Sequence, residues 1–206
     1  MYEFVRGPLV WIAFIGFFGG MAYQFITMAR LARKDKVVYP TFSAKYGLRS
    51  LLHWVVPFGG RKMRLHPFYT LLSYAFHICV LVTPLFLMGH AVLWQESWGI
   101  RWWSLPEGVA DSMTLVVIFA CVFFIIRRLV RPEVRNVSYP SDFLLALLVM
   151  APFLTGYIAH QQWLPYQPMI TIHIVTGVLW LLVIPWTRLV HMLWFAFTRA
   201  FMGSEF

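Results

Sequence analysis

Five stretches of this chain are long and apolar enough to cross a membrane. They lie at roughly 8–29, 68–94, 112–130, 143–159 and 169–197, against the ~20 residues a helix needs to cross ~30 Å of hydrocarbon. In lipid every backbone N–H and C=O must be satisfied internally, so stretches of this kind fold as helices. The sequence therefore predicts an all-α membrane protein, with five transmembrane helices in a bundle and a single membrane domain over residues 1–206. A composition of 60% hydrophobic and 12% charged residues excludes a soluble globule. Ten Trp and nine Tyr suit two interfacial belts. The fourth window is the shortest and contains Pro152, so its ends are the least defined. The first has no basic n-region and exceeds a signal h-region in length, and reads as a retained helix.

The net charge of +9 is not spread evenly. Between the first and second windows lie Arg30, Arg33, Lys34, Lys36, Lys45, Arg49, Arg61, Lys62 and Arg64; from the end of the third to the start of the fourth come Arg127, Arg128, Arg131 and Arg135. The alternate connections hold only Arg101 in 95–111 and no Lys or Arg in 160–168. By the positive-inside rule the N-terminus is periplasmic, while both basic loops and the C-terminus are cytoplasmic. Charge placed this way suits lipid headgroups or an acidic cytoplasmic partner, and argues against nucleic acid.

The basic connection 30–66 is the only one with room for structure of its own. In KYGLRSLLHWVVPFGG, Leu48, Leu51, Leu52 and Val55 recur at i, i+3, i+4, i+7, and Pro57 with Gly59-Gly60 would end the helix. Such a stripe with basic neighbours lies in the membrane interface or docks a partner. The Trp-rich QESWGIRWWSLPEG reads as a lid at headgroup level, and HQQWLPYQPM as an irregular loop. Cys79 and Cys121 both fall in apolar windows, with no zinc or covalent-haem spacing, and read as packing residues.

Seven histidines divide by depth. His53 and His66 belong to the basic connection or its edge, and His160 to a helix end. His77, His90, His173 and His191 fall inside the second and fifth windows. An intramembrane imidazole needs a partner, which for one histidine is often just a hydrogen bond to a neighbouring helix. Four on two antiparallel helices at matching depths suggest more. His90 matches His173 near the outer face, and His77 matches His191 near the inner face. If the fifth window is one helix, the eighteen residues from His173 to His191 make about five turns and put both rings on one face, about 27 Å apart. Two imidazole pairs of this kind suit two stacked haem b groups. On an ideal helix His77 and His90 would stand about 140° apart, so Pro84 between them predicts irregular geometry. A competing set uses His66 with His77, about 20° off one face.

Gly89 beside His90, and Gly177 one turn after His173, would let a flat macrocycle approach the backbone; close helix packing explains either glycine equally well. Arg188 sits one turn before His191 and needs an anion, for which a haem propionate or a lipid headgroup would serve.

HIVTGVLWLLVIPWTRLVH resembles the last helix of the gamma subunit of respiratory nitrate reductase, a five-helix dihaem cytochrome b. The matched features are a His, a Gly four residues later, Pro-aromatic-x-Arg-Leu-x-His, and the eighteen-residue interval. AFHICVLVTPLFLMGH similarly resembles that family's second helix. The resemblance implies His90 and His173 on the outer haem iron and His77 and His191 on the inner one. It also implies an inner-membrane protein passing electrons to or from a cytoplasmic iron–sulfur subunit. The family's quinol site uses a lysine after the second helix, whereas residues 91–126 here hold no Lys. The loop with LLHWVVPFGG is similar to membrane cytochromes b of sulfate-reducing bacteria, which implies a periplasmic multihaem cytochrome c, or menaquinol, as electron donor, and further membrane subunits. The expectation is an electron-transfer subunit of an oxidoreductase complex rather than a complete enzyme. The alternatives are a quinol-oxidising subunit of the nitrate reductase type, a proton-relay protein or a haem-free anchor; a relay would need carboxylates within the spans, and only Asp111 and Asp142 come near one.

Overall fold

The computed structural model describes residues 2–34 and 43–204. The part of the basic connection at 35–42, Lys36 included, lies outside the described residues. Among the described residues every regular element is helical. In chain order these are α1 (Tyr2–Arg6), α2 (Pro8–Lys34), α3 (Ala44–Val55), α4 (Arg61–Leu65), α5 (Pro67–Phe86), α6 (Met88–Trp98), α7 (Glu107–Val130), α8 (Pro132–Arg135), α9 (Pro140–His160), α10 (Tyr166–Val183) and α11 (His191–Ser204). Pro8, Pro67, Pro132 and Pro140 each open a helix, where the missing N–H costs nothing. Five segments are long and apolar enough to cross a membrane: Tyr2–Leu31, Pro67–Phe86, Glu107–Val130, Pro140–His160 and Tyr166–Trp186. This is a multi-pass helical protein, with spans close to the apolar windows of the sequence. The Trp-rich connection is helical up to Trp98, and only residues 161–165 of the second loop are irregular.

Two windows read as single helices are broken. Window 68–94 is interrupted at Leu87, whose φ of −66° and ψ of 133° are extended. That is the irregularity Pro84 predicts. Window 169–197 departs further, because α10 ends at Val183 and two 3₁₀ turns, Ile184–Trp186 and Arg188–Val190, precede α11. His173 and His191 therefore do not share one continuous helix, and the whole-turn argument for a common face fails. Pro185 is the cause: it brings no N–H, and its ring opposes the carbonyl of the preceding turn. Thr187 stabilises the break, donating its hydroxyl to the Val183 carbonyl at 3.0 Å and accepting the Leu189 N–H at 3.3 Å.

The described chain forms two compact units. In the first, Met1–Thr70 with Val178–Phe206, α2 packs on the Pro185 break. A Cβ at Gly20 would come within 2.7 Å of Pro185 Cβ. Here α3 pairs with α11 through its small face. Gly47 is buried, Ser50 Oγ donates to the Arg199 carbonyl at 2.8 Å, and the Arg199 guanidinium lies 3.8 Å from the Trp54 ring centre. The apolar stripe is left outward, with Leu48, Leu52 and Val55 all exposed.

In the second unit, Leu71–Gly177, α7 turns a buried stripe of Ala110, Thr114, Val117 and Cys121 toward α9, at i, i+4, i+7, i+11. Cys79 and Cys121 are buried free thiols, as packing residues should be. Asp142 is buried near the start of α9, accepting the Tyr139 N–H at 2.9 Å, with Arg128 at 3.7 Å. Those contacts give it a helix-capping role.

Candidate functional site

A helix that stops inside an apolar region leaves its last carbonyls to be satisfied by something else. At the end of α5 each of the last four has a donor. The Thr83 carbonyl accepts the Leu87 N–H at 2.9 Å, and that of Phe86 accepts the Leu105 N–H at 2.8 Å. The Leu85 carbonyl takes the Trp102 indole N–H at 2.8 Å. The Pro84 carbonyl takes His90 Nδ1 at 2.8 Å. The break at Leu87 thus turns the start of α6 back, and the His90 imidazole becomes a cap on α5.

His173 is held from the other side by α9. Its Nδ1 lies 2.9 Å from the Pro152 carbonyl, and its own backbone carbonyl accepts the Thr176 hydroxyl at 2.9 Å. One turn beyond Pro152 is Gly156, where an added Cβ would fall 2.9 Å from both Cε1 and Nδ1 of the ring. The imidazole therefore lies against bare backbone.

The structure brings His90 and His173 together, with ring centres 6.0 Å apart and planes 18° from parallel. A carbonyl can only accept, so in each ring Nδ1 carries the proton and Nε2 keeps its lone pair. Among the described residues neither Nε2 has a hydrogen-bond partner. A lone pair of this kind in a membrane-spanning segment can be met by a proton donor or by a Lewis acid. The spacing suits the second. With ordinary metal–nitrogen bonds of about 2 Å, two rings at this spacing would leave room for a metal ion between facing Nε2 atoms.

His77 and His191 share the same chemistry locally. His77 Nδ1 lies 2.6 Å from the Ser73 carbonyl on α5, and His191 Nδ1 lies 2.8 Å from the Arg188 carbonyl at the start of α11. Each is exposed, and they belong to different units. All four ligand candidates thus have a backbone carbonyl on Nδ1, the outer-shell contact that fixes tautomer and orientation in metal-binding histidines. His160 differs: its Nε2 lies 3.1 Å from Glu107 and 3.6 Å from Asp111. His66 is exposed at the junction of α4 and α5, and His53 packs edge-on against Trp54.

A Cβ added at Gly89 or Gly177 would meet nothing within 4 Å. Arg188 is exposed on the second 3₁₀ turn, and its carbonyl is what orients His191. Gly156 was not legible as a site residue from the sequence. Its one signal was its place between Pro152 and His160 at four-residue intervals, on one face of α9. Among the described residues no group of three or more His, Cys, Asp and Glu side chains is placed to hold a metal ion. A metal held at these paired imidazoles would need other ligands of its own, as porphyrin iron has.

No family model matches the chain, and no solved structure matches it. It is similar to a protein of Nitratidesulfovibrio vulgaris (strain Hildenborough) that carries only the name "Protein". The two are 36% identical over 211 residues, covering 100% of this chain and 93% of the other.

Proposed function

We propose that this chain, which belongs to one family with the Nitratidesulfovibrio vulgaris protein, is a dihaem cytochrome b subunit relaying electrons across the bacterial cytoplasmic membrane. The observation that carries the reading is the His90–His173 pair, two imidazoles at 6.0 Å that each commit the Nδ1 proton to a backbone carbonyl. Haem b held by two neutral imidazoles exchanges single electrons and keeps no open position for oxygen. His90 and His173 hold the outer group; for the inner one the resemblance implies His77 and His191.

The work of the chain is orientation. Carbonyls of Pro84, Pro152, Ser73 and Arg188 each meet Nδ1 of one of the four rings and orient it. Gly89 and Gly177 leave backbone open to a flat ring, and Arg188 supplies a cation for a propionate. The basic connection and the α3–α11 pair face the cytoplasm and receive the iron–sulfur partner. A periplasmic multihaem cytochrome c, or menaquinol, supplies the other end, within an assembly that includes further membrane subunits.

The test is a pyridine haemochrome assay on the purified chain. About two b-type haems per chain are expected from two bis-imidazole sites, and a helical, monodisperse preparation without haem sinks the proposal.

A further inference from the structure

We propose that Gly156 is a positioning residue for His173, and through it for the outer redox centre; the second half of this rests on the reading above. Three turns of α9 address the ring in different ways. Pro152 gives it a carbonyl at 2.9 Å, Gly156 gives it bare backbone, and one turn further His160 turns instead to Glu107 and Asp111. Residues at four-residue intervals share a helix face, so Pro152 and Gly156 together form the surface under the imidazole.

The geometry at Gly156 leaves no slack. A Cβ there would lie 2.9 Å from Cε1 and Nδ1, where carbon–carbon contact is most favourable at about 3.5–4.0 Å. The ring cannot yield by simple rotation, because turning it away breaks the Nδ1–H bond to Pro152. Any retreat also alters its relation to His90, whose ring lies 6.0 Å away and is itself tied to the Pro84 carbonyl. A methyl group at 156 therefore changes the tilt of one imidazole against the other, the quantity that sets the electronic asymmetry of a bis-imidazole iron. The glycine is needed for the neighbouring ring, not for its own backbone conformation, since α9 runs through it as regular helix.

The experiment compares wild type, Gly156→Ala, His173→Ala and the double variant, each as the full purified chain. Thermal unfolding followed by circular dichroism of haem-depleted protein gives a readout that does not depend on cofactor. Gly156→Ala should lower the unfolding temperature when His173 is present and leave it nearly unchanged when residue 173 is Ala, because the shorter side chain removes the clash. Equal effects in both backgrounds would overturn the proposal, as would no effect in either. A variant that fails to fold alone but folds as the double variant supports it.

On haem-loaded protein, Gly156→Ala should alter the low-spin ferric resonance and the midpoint potential of one centre and leave the other as in wild type. Wild-type resonances and potentials at both centres would overturn the proposal. A wild-type chain that binds no haem sinks the function proposed above, while the unfolding comparison still decides whether Gly156 sets the position of His173.

Discussion

Gln24 on α2 donates a 2.9 Å hydrogen bond to the carbonyl of Pro185, 161 residues further along the chain. This is how the interrupted last span survives in hydrocarbon. Pro185 ends the helix, the Leu189 N–H is taken by Thr187, and Gln24 meets the acceptor that would otherwise be bare. Gly20, one turn earlier on the same face, lets α2 come close enough for the bond to form.

Replacing Gln24 with Leu should therefore lower the stability of the folded chain by about 1 kcal/mol, the usual scale for a hydrogen bond between membrane helices. Gly20→Val should cost more, because it opposes the Pro185 ring sterically and removes the approach on which the bond depends. Thermal unfolding in one detergent would rank the two; equal stability of Gly20→Val and wild type would contradict this account of the break.

Thr83 carries a different kind of signal. Its hydroxyl is buried and has no hydrogen-bond partner among the described residues. An unsatisfied buried hydroxyl costs about 1–3 kcal/mol, and an apolar group of the same shape removes that cost. Thr83→Val is expected to stabilise the protein by about 1 kcal/mol on the same argument. A destabilised Thr83→Val chain would show that the hydroxyl has a partner in the membrane-bound protein.

The near-parallel rings of His90 and His173, 18° apart, lead to a spectroscopic expectation. Bis-imidazole ferric haem with parallel ligand planes gives a rhombic low-spin resonance, whereas crossed planes give a highly anisotropic one. Under the proposed function one of two haem centres should show the rhombic signal, and His173→Ala should abolish it. A rhombic signal that persists in His173→Ala would assign it to another pair.

His160 separates ligands from bystanders. Its ring nitrogen is engaged by Glu107 and Asp111. Under the proposed function His160→Ala should keep the full haem content, while His90→Ala should lose about one haem of two, as expected for loss of one axial ligand. Loss of haem in His160→Ala at unchanged helicity would redraw the ligand set.

Much of the outline could be read from the residues alone. The spans follow from apolar windows, because transfer into hydrocarbon is close to additive along a segment. The same property places His77, His90, His173 and His191 in apolar windows and most of the basic residues outside them or near their ends. Pro84 announced irregularity before His90, since a proline always removes a donor. Pro185 carries the same information, yet the eighteen-residue interval between His173 and His191 suggested an unbroken helix. Here local chemistry outweighed periodicity.

What the tertiary structure alone decided is which carbonyl each imidazole holds and which surface it rests on. Inside a helix a carbonyl is already occupied by the N–H four residues ahead, and a side chain from outside that helix reaches it only near a break or when a neighbouring helix brings one to it. Neither condition is local: the Pro84 carbonyl needs the turn at Leu87, and the Pro152 carbonyl needs His173 from a helix twenty-one residues on. Gly156 was silent for the same reason. A missing side chain has no signature of its own, and its meaning appears only when another residue's ring occupies the space.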